Sequence, residues 1–276
     1  MKNLAGKIAV VTGATRGVGK GVALGLAAQG ATIYITGRTE NDEGLPDFLK
    51  GTTLQKTVEE VNQIGGIGIA HRCDFSNDED IKTLFERVKR EQGKLDILVN
   101  NAWAGSNHVM NGYFWNTPFW KQPITLLDDF YTVGLRSGYL CSQYAAEIMA
   151  EQKNGLIANI SFYCAQRYFI NPVHGITKAA IDKMSADTAY ELKKYGVKVF
   201  SIYPGSVSTE GMKELAKYDS SVNIDDMESP QFVGMCVAAL ALDDAVIEES
   251  GSVLLTGAIA KKYGFTDIDG TQPRTL

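Results

Sequence analysis

A large excess of either charge sign is lacking in this chain. Among its 276 residues, 27 Lys and Arg face 32 Asp and Glu, the formal net charge is −5, and no long basic run occurs. That balance argues against nucleic acid and anionic membranes as partners. Cysteine is equally sparse. Cys73, Cys141, Cys164 and Cys236 stand apart, with no CxxC pair and no zinc spacing, so they read as reduced, packed thiols and no metal site is expected. No stretch approaches the ~18 apolar residues of a membrane helix. The N-terminal MKNLAGKIAVVTG carries no small-residue cleavage site, so no signal peptide is expected and the chain reads as cytoplasmic. Low-complexity tracts and internal repeats are missing too.

What is present is alternation. Lys7–Thr12 is an apolar, β-branched run of the kind a strand buried on both faces needs. Further strands are expected at Thr32–Thr36, Gly68–Cys73, Ile97–Asn100, Leu156–Ser161, Lys198–Ile202 and near Ser252–Thr256. Helices are expected between them, at Val18–Gln29, around Thr53–Ile64, at Asp78–Gln92, Asp128–Ala150 and His174–Tyr195. Strands spaced by helices mean βαβ units. The expectation is an α/β Rossmann fold: one doubly wound, mainly parallel sheet of about seven strands, with helices on both faces, in a single domain spanning 1–276.

Two stretches carry chemistry. TGATRGVGK, Thr12 to Lys20, places Gly13, Gly17 and Gly19 directly after a strand and directly before a helix. Glycine there permits a tight turn and close backbone approach to a pyrophosphate seated on the helix N-terminus. SFYCAQRYFINPVHGITK, Ser161 to Lys178, joins a strand end to a helix. Its Ser161 hydroxyl, His174 imidazole and Lys178 ammonium suit proton delivery to a developing alkoxide. His174 and Lys178, four residues apart, share one face if both are helical.

The TGxxxGxG spacing resembles the short-chain dehydrogenase/reductases, and the likeness runs along essentially the whole chain. Asp74 stands at the end of the third strand, Asn100-Asn101-Ala102 resembles NNAG with Trp103 in place of the glycine, and Pro204-Gly205 with Val207 and Thr209 resembles PGxVxT. The run around VGLRSGYLCS and the tail KKYGFTDIDG are similar to one subgroup of that family. The resemblance implies cofactor contacts from Gly13, Thr15, Arg16, Gly17, Val18 and Gly19, then from Arg38, Asp74 and Phe75. It further implies contacts from Asn101, Ala102 and Lys178, and from Pro204, Gly205, Val207 and Thr209.

Cofactor choice follows from charge. Enzymes of this fold that use NAD place an acid about twenty residues past the glycine loop. Here the second strand is followed by Thr36-Gly37-Arg38, with no acid before Glu40. Arg38 and Arg16 suit a 2′-phosphate, which favours NADP(H) over NAD(H). Glu40, Asp42 and Glu43 temper that preference.

The family's proton donor is a tyrosine four positions before the lysine. Ser161 and Lys178 match, but position 174 is histidine. The asparagine of the family's proton relay also has no counterpart, because the matching segment reads Val133-Gly134-Leu135. A neutral imidazole donates through one nitrogen, and its unperturbed pKa of ~6.5 suits acid work near neutrality. The Lys178 cation pushes it towards the neutral form. Tyr163 and Tyr168 lie in the same loop and are the other hydroxyls available.

Aromatic residues crowd the stretch after NNA: Trp103, Tyr113, Phe114, Trp115, Phe119 and Trp120. They suit a substrate that is apolar or aromatic, or else a subunit contact. A variable substrate lid is expected around 206–230. The resemblance implies a homodimer or homotetramer paired through the two long helices, where Tyr139, Leu140, Tyr144 and Met149, and Ile181, Met184 and Ala189, are apolar. Three functions fit: hydride transfer between nicotinamide and a carbonyl or alcohol, reduction of a conjugated C=C bond, or cofactor binding without turnover as a sensor or scaffold.

Overall fold

A computed structural model describes residues 3–105, 108 and 113–272. Seven strands form one sheet in the order β3-β2-β1-β4-β5-β6-β7, with every neighbouring pair parallel. They are β1 (Ile8–Val11), β2 (Thr32–Gly37), β3 (Ile67–Arg72), β4 (Ile97–Asn100), β5 (Gly155–Ile160), β6 (Val197–Tyr203) and β7 (Val253–Leu255). The order reverses between β1 and β4, so the carboxyl ends of these two strands open the crevice where such sheets hold ligands. β1, β4, β5 and β6 are buried throughout, as continuous apolar strands covered on both faces should be.

Helices α1 (Gly17–Ala28), α2 (Leu54–Ile64), α3 (Asp78–Gln92), α4 (Thr125–Phe130), α5 (Ser137–Gln152), α6 (Pro172–Leu192), α7 (Glu210–Leu215), α8 (Pro230–Leu242) and α9 (Thr256–Tyr263) connect them. Two large apolar clusters result, beside a smaller one of Phe114, Leu126 and Phe130. One gathers Val22, Leu26, Ile33, Phe200, Phe232 and Val237, and the other Tyr34, Phe85, Leu98, Met149 and Val199. α1 and α8 cross so closely that a Cβ on Gly25 would lie 2.6 Å from the carbonyl carbon of Gly234.

Local signals explain where expectation and structure agree. α3 runs over the expected Asp78–Gln92. Asn77 caps it by accepting from Glu79 N, acids fill its first turn, Lys89 and Arg90 sit in its last, and Gly93 ends it in a left-handed conformation. α6 starts two residues before the expected His174, because Asn171 accepts from His174 N and Pro172 fits the first turn.

The helix expected over Asp128–Ala150 is wrong in its first third. The chain is helical in α4, then passes through a wide turn at Tyr131–Arg136 before α5 begins. Val133 (φ −106°, ψ 91°) and Gly134 (φ 150°, ψ −70°) break the ladder there. Glycine readily adopts the dihedrals of Gly134, which side chains disfavour. The Val133 carbonyl instead accepts from Ala104 N, at 3.2 Å. Of the apolar residues considered for subunit pairing, Met149, Ile181 and Ala189 are buried inside the chain, whereas Tyr139 is half exposed. Among the described residues, no helix is long and apolar enough to cross a membrane.

Candidate active site

The glycine loop follows β1 at the crevice. Gly13 has φ +67°, and a Cβ there would sit 3.0 Å from Ala102 Cα. A Cβ on Gly19 would lie 2.3 Å from the Gly13 carbonyl oxygen. Only glycine therefore lets the loop close onto α1 and the end of β4. Asn101 holds this arrangement, its Nδ2 donating to Thr12 O at 2.8 Å and Gly13 O at 3.1 Å. Thr12 Oγ1 accepts from the N–H groups of Asn101 and Ala102. Thr15 is buried, and Val18 packs on the core. The N–H of Gly17 donates to Glu210 Oε2 at 2.9 Å, so the terminus of α1 already receives an anion.

At the end of β2, Arg16 donates from Nε to Thr52 Oγ1 (3.1 Å) and from Nη2 to Thr39 Oγ1 (2.7 Å). Burial holds its pKa below the ordinary value, Glu210 opposes that shift, and the neighbouring Arg38 adds to it. Arg38 pairs loosely with Asp74, at 3.6 Å. Burial alone would raise the Asp74 carboxyl, but hydrogen bonds from Ser76 and the Arg38 charge leave it lowered. Two of the three nearby acids are engaged elsewhere, Glu40 with Arg72 at 3.6 Å and Asp42 on Gly51 N at 2.8 Å. The Phe75 side chain belongs to the core, among Cys73 and Ile81.

Beneath the site runs a buried polar chain. The registers set Asn100 beside Asn159 and Asn159 beside Ser201. Asn100 Nδ2 donates to Asn159 Oδ1 (2.8 Å), Asn159 Nδ2 to Ser185 Oγ (2.8 Å), and Ser201 Oγ to Ser185 Oγ (2.9 Å). Asn100 also reaches Gly138 O and Ser142 Oγ on α5. These bonds tie β4, β5, β6, α5 and α6 together beside the Ser161–Lys178 segment.

Pro204, Gly205, Val207 and Thr209 follow β6. Thr209 accepts from Met212 N and so caps α7. Glu228 closes the 206–230 segment. Its N–H donates to Ser206 O and its carbonyl accepts from Ser208 N. Its carboxyl is 4% exposed and accepts from Thr256 Oγ1 at 2.8 Å. Burial raises that carboxyl to about 7, against the hydrogen bonds from Thr256 and Gly205.

Ser161, His174 and Lys178 converge at the end of β5. Ser161 Oγ donates to Lys178 O at 3.3 Å, and Lys178 Nζ donates to Ile160 O at 2.8 Å. Burial lowers the Lys178 ammonium to about 8, opposed by Cys164 and Asp182. The imidazole of His174 is 8% exposed, and its Nδ1 is buried without a hydrogen-bond partner. Burial first, and the Lys178 charge second, hold it down to about 3. The expected push towards neutrality is thus present, but desolvation is its larger cause.

An aromatic shell explains that burial. Ring centroids of Trp103, Phe114, Phe162 and Phe130 lie 5.7, 5.5, 6.0 and 6.2 Å from that of His174. Trp103 is also a buried orphan, its Nε1 lacking a partner. Trp103 and His174, where the sequence reading expects glycine and tyrosine, are therefore in contact. Gly134 lies beside them, where a Cβ would be 4.0 Å from both Ala102 O and Trp103 Cδ1. Tyr168 is 80% exposed and donates its hydroxyl to Ile170 O. Tyr163 instead packs against Phe162 and Phe169. Phe119 and Trp120 are exposed, and the side chain of Tyr113 lies outside the described residues.

Several site residues escape a reading of the sequence. Glu210 directly follows the PGxVxT-like segment, yet nothing in that adjacency says it reaches Gly17. Asn159 and Ser185 become partners only through strand register. Glu228 stands in a polar loop whose composition promises exposure.

The pattern of the short chain dehydrogenase family matches residues 7–219. Dehydrogenase/reductase SDR family member 1 of Mus musculus is 42% identical over 276 residues, covering 96% of this chain and 84% of its own. The 1-cyclohexenylcarbonyl-CoA reductase of Streptomyces collinus is 30% identical over 212 residues, covering 75% of this chain and 67% of its own. Among solved structures, a hydroxysteroid dehydrogenase from Escherichia coli superposes with a TM-score of 0.72 at 27% identity, over 92% of this chain and 96% of that one. With the all-parallel seven-stranded sheet and the glycine loop at its reversal point, these likenesses establish that the chain belongs to the short-chain dehydrogenase/reductase family of oxidoreductases.

Proposed function

We propose that the protein is an NADP(H)-dependent oxidoreductase that interconverts a carbonyl and an alcohol on an apolar, ring-bearing substrate. The observation that carries this reading is the grouping of Ser161, Lys178 and a neutral His174 at the end of β5, inside an aromatic shell. The residues present fit a dinucleotide: the glycine loop leaves no room for a Cβ at Gly19, and α1 turns the Gly17 N–H to an anion, here the Glu210 carboxylate. Arg16 and Arg38 would hold a 2′-phosphate, with Glu40 and Asp42 drawn to other partners. When bound, the reduced nicotinamide supplies the hydride equivalent.

The chain's own residues then handle the oxygen. Ser161 Oγ, turned from the Lys178 carbonyl, donates to the substrate oxygen. Neutral His174 offers a second N–H. An imidazole held near 3 cannot store a proton at neutral pH, so it transmits one rather than supplying it. The supplier is the Lys178 ammonium, whose pKa of about 8 sits close to working pH. In the reductive direction Lys178 loses the proton that the oxygen gains. The two long helices α5 and α6, with Tyr139 and Tyr190 exposed, are the proposed subunit contact.

Reduction of a conjugated C=C bond is the second reading. The depressed His174 favours it, since protonation at carbon depends less on a donor at this position, and the Streptomyces collinus relative bears the name of such a reductase.

The test is a fluorescence titration with NADPH and with NADH, followed by ketone and enone panels between pH 5.5 and 9.5. Tighter NADPH binding, and ketone reduction whose kcat/KM falls above about pH 8 with no inflection near 6.5, is the expected result. Turnover of enones alone moves the assignment to the second reading. Binding without turnover in either panel leaves a sensor or scaffold.

A further inference from the structure

The seat for a pyrophosphate at the start of α1 is not left open to water. The N–H of Gly17 donates to Glu210 Oε2 at 2.9 Å, and the Glu210 charge acts on Arg16 beside it. Glu210 is the first residue of α7, in the 206–230 segment, and Thr209 fixes the start of that helix by accepting from Met212 N. A carboxylate on a helix N-terminal N–H makes the same contact that a phosphate oxygen makes there, with the same charge sign and the same donor. One N–H cannot serve both.

We propose that Glu210 is an internal occupant of the cofactor's pyrophosphate seat, so that the dinucleotide binds by displacing it and α7 shifts as it leaves. The proposal rests on the dinucleotide reading above and adds to it a regulation of the same site. A cavity of about 160 Å³ adjoins the contact, lined by Gly17, Lys20, Glu210 and Lys213 among others. It gives the displaced carboxylate somewhere to go, towards Lys213 one turn along α7. Glu228 anchors the far end of the segment through Ser206 and Ser208, so movement of α7 is hinged rather than free. Two consequences follow. Without cofactor the carboxylate holds α7 against α1. With cofactor α7 is released.

The test compares the wild-type chain with Glu210→Gln and Glu210→Ala. Dissociation constants for NADPH and for ADP-ribose, which has the pyrophosphate without nicotinamide, are measured by calorimetry. The Gly17 amide is followed by NMR in both the free and the saturated proteins. Both variants should bind both ligands about fivefold more tightly, the scale of one lost competing anion at a helix terminus. The Gly17 amide should differ between wild type and variants only when free. Unchanged or weaker affinity in the variants, with wild type still binding NADPH, overturns the displacement and leaves the dinucleotide reading intact. If neither wild type nor variants bind either ligand, the dinucleotide reading falls and the displacement falls with it. Binding by the variants alone supports both.

Discussion

The crevice has two halves of opposite character. Around the glycine loop, the polar groups are paired: Asn101 with Thr12 and Gly13, Arg16 with Thr39 and Thr52, Arg38 with Asp74, Gly17 with Glu210. Around His174, Ser161 and Lys178 reach only backbone carbonyls, and two polar atoms are buried and single. Trp103 Nε1 and His174 Nδ1 lack partners, and an aromatic shell surrounds them. An unmade hydrogen bond of this kind costs about 1–3 kcal/mol. The glycine-loop half is thus held in place by paired groups. The other half carries that cost without compensation among the described residues.

The most severe way to break the cofactor half is Gly19→Val. Its Cβ would collide with the Gly13 carbonyl, 2.3 Å away, and that carbonyl belongs to backbone that cannot yield. A loss of about 3 kcal/mol or more in unfolding free energy is expected, together with loss of dinucleotide binding, read by denaturant titration and fluorescence. In the substrate half, His174→Ala should lower turnover about a hundredfold while dinucleotide affinity changes less than twofold. Trp103→Gly combined with His174→Tyr restores both family residues. If their contact matters, the double variant should exceed the product of the single effects in ketone reduction.

Glu228 sharpens the contrast by pH. Its folded pKa, about 7, lies above the ordinary carboxyl value because of burial. The stability it contributes is therefore complete below the unfolded pKa and is lost as pH rises through about 7. Glu228→Gln should remove that loss, gaining on the order of 2 kcal/mol at pH 8 relative to wild type and nothing at pH 4. Thermal denaturation across that range checks it. The smallest effect belongs to Arg38→Ala, at 61% side-chain exposure. The preference for NADPH over NADH should fall about tenfold, about 1.4 kcal/mol, with NADH affinity unchanged. An equal loss for both cofactors would make Arg38 a general contact.

Legibility followed the same divide. The glycine loop, β1, β4 and α3 were readable because their causes are local: apolar strand runs, an Asn cap, acids then bases along one helix, a closing glycine. His174, Ser161 and Lys178 were readable as a spacing, and the structure brings them to one strand end. The wide turn at Val133–Gly134 was not readable. Its surroundings are helix-compatible, and the break is stabilised by Ala104, far outside any local window. The depth of the imidazole was equally hidden, since its aromatic neighbours Trp103, Phe114, Phe130 and Phe162 come from separate segments.

The sequence by itself determined the alternation of strands and helices, the parallel sheet, the place of the glycine loop and the Ser161, His174 and Lys178 spacing. Each of these rests on residue type at short spacing, where backbone geometry and apolar periodicity act alone. Tertiary structure decided the rest. It set the proton affinity of His174 and Lys178 through desolvation, paired Asn100 with Asn159 through register, buried Glu228, and brought Glu210 onto Gly17. Those are effects of distance and dielectric between segments far apart in the chain, and they exist only once the sheet has closed over its two faces.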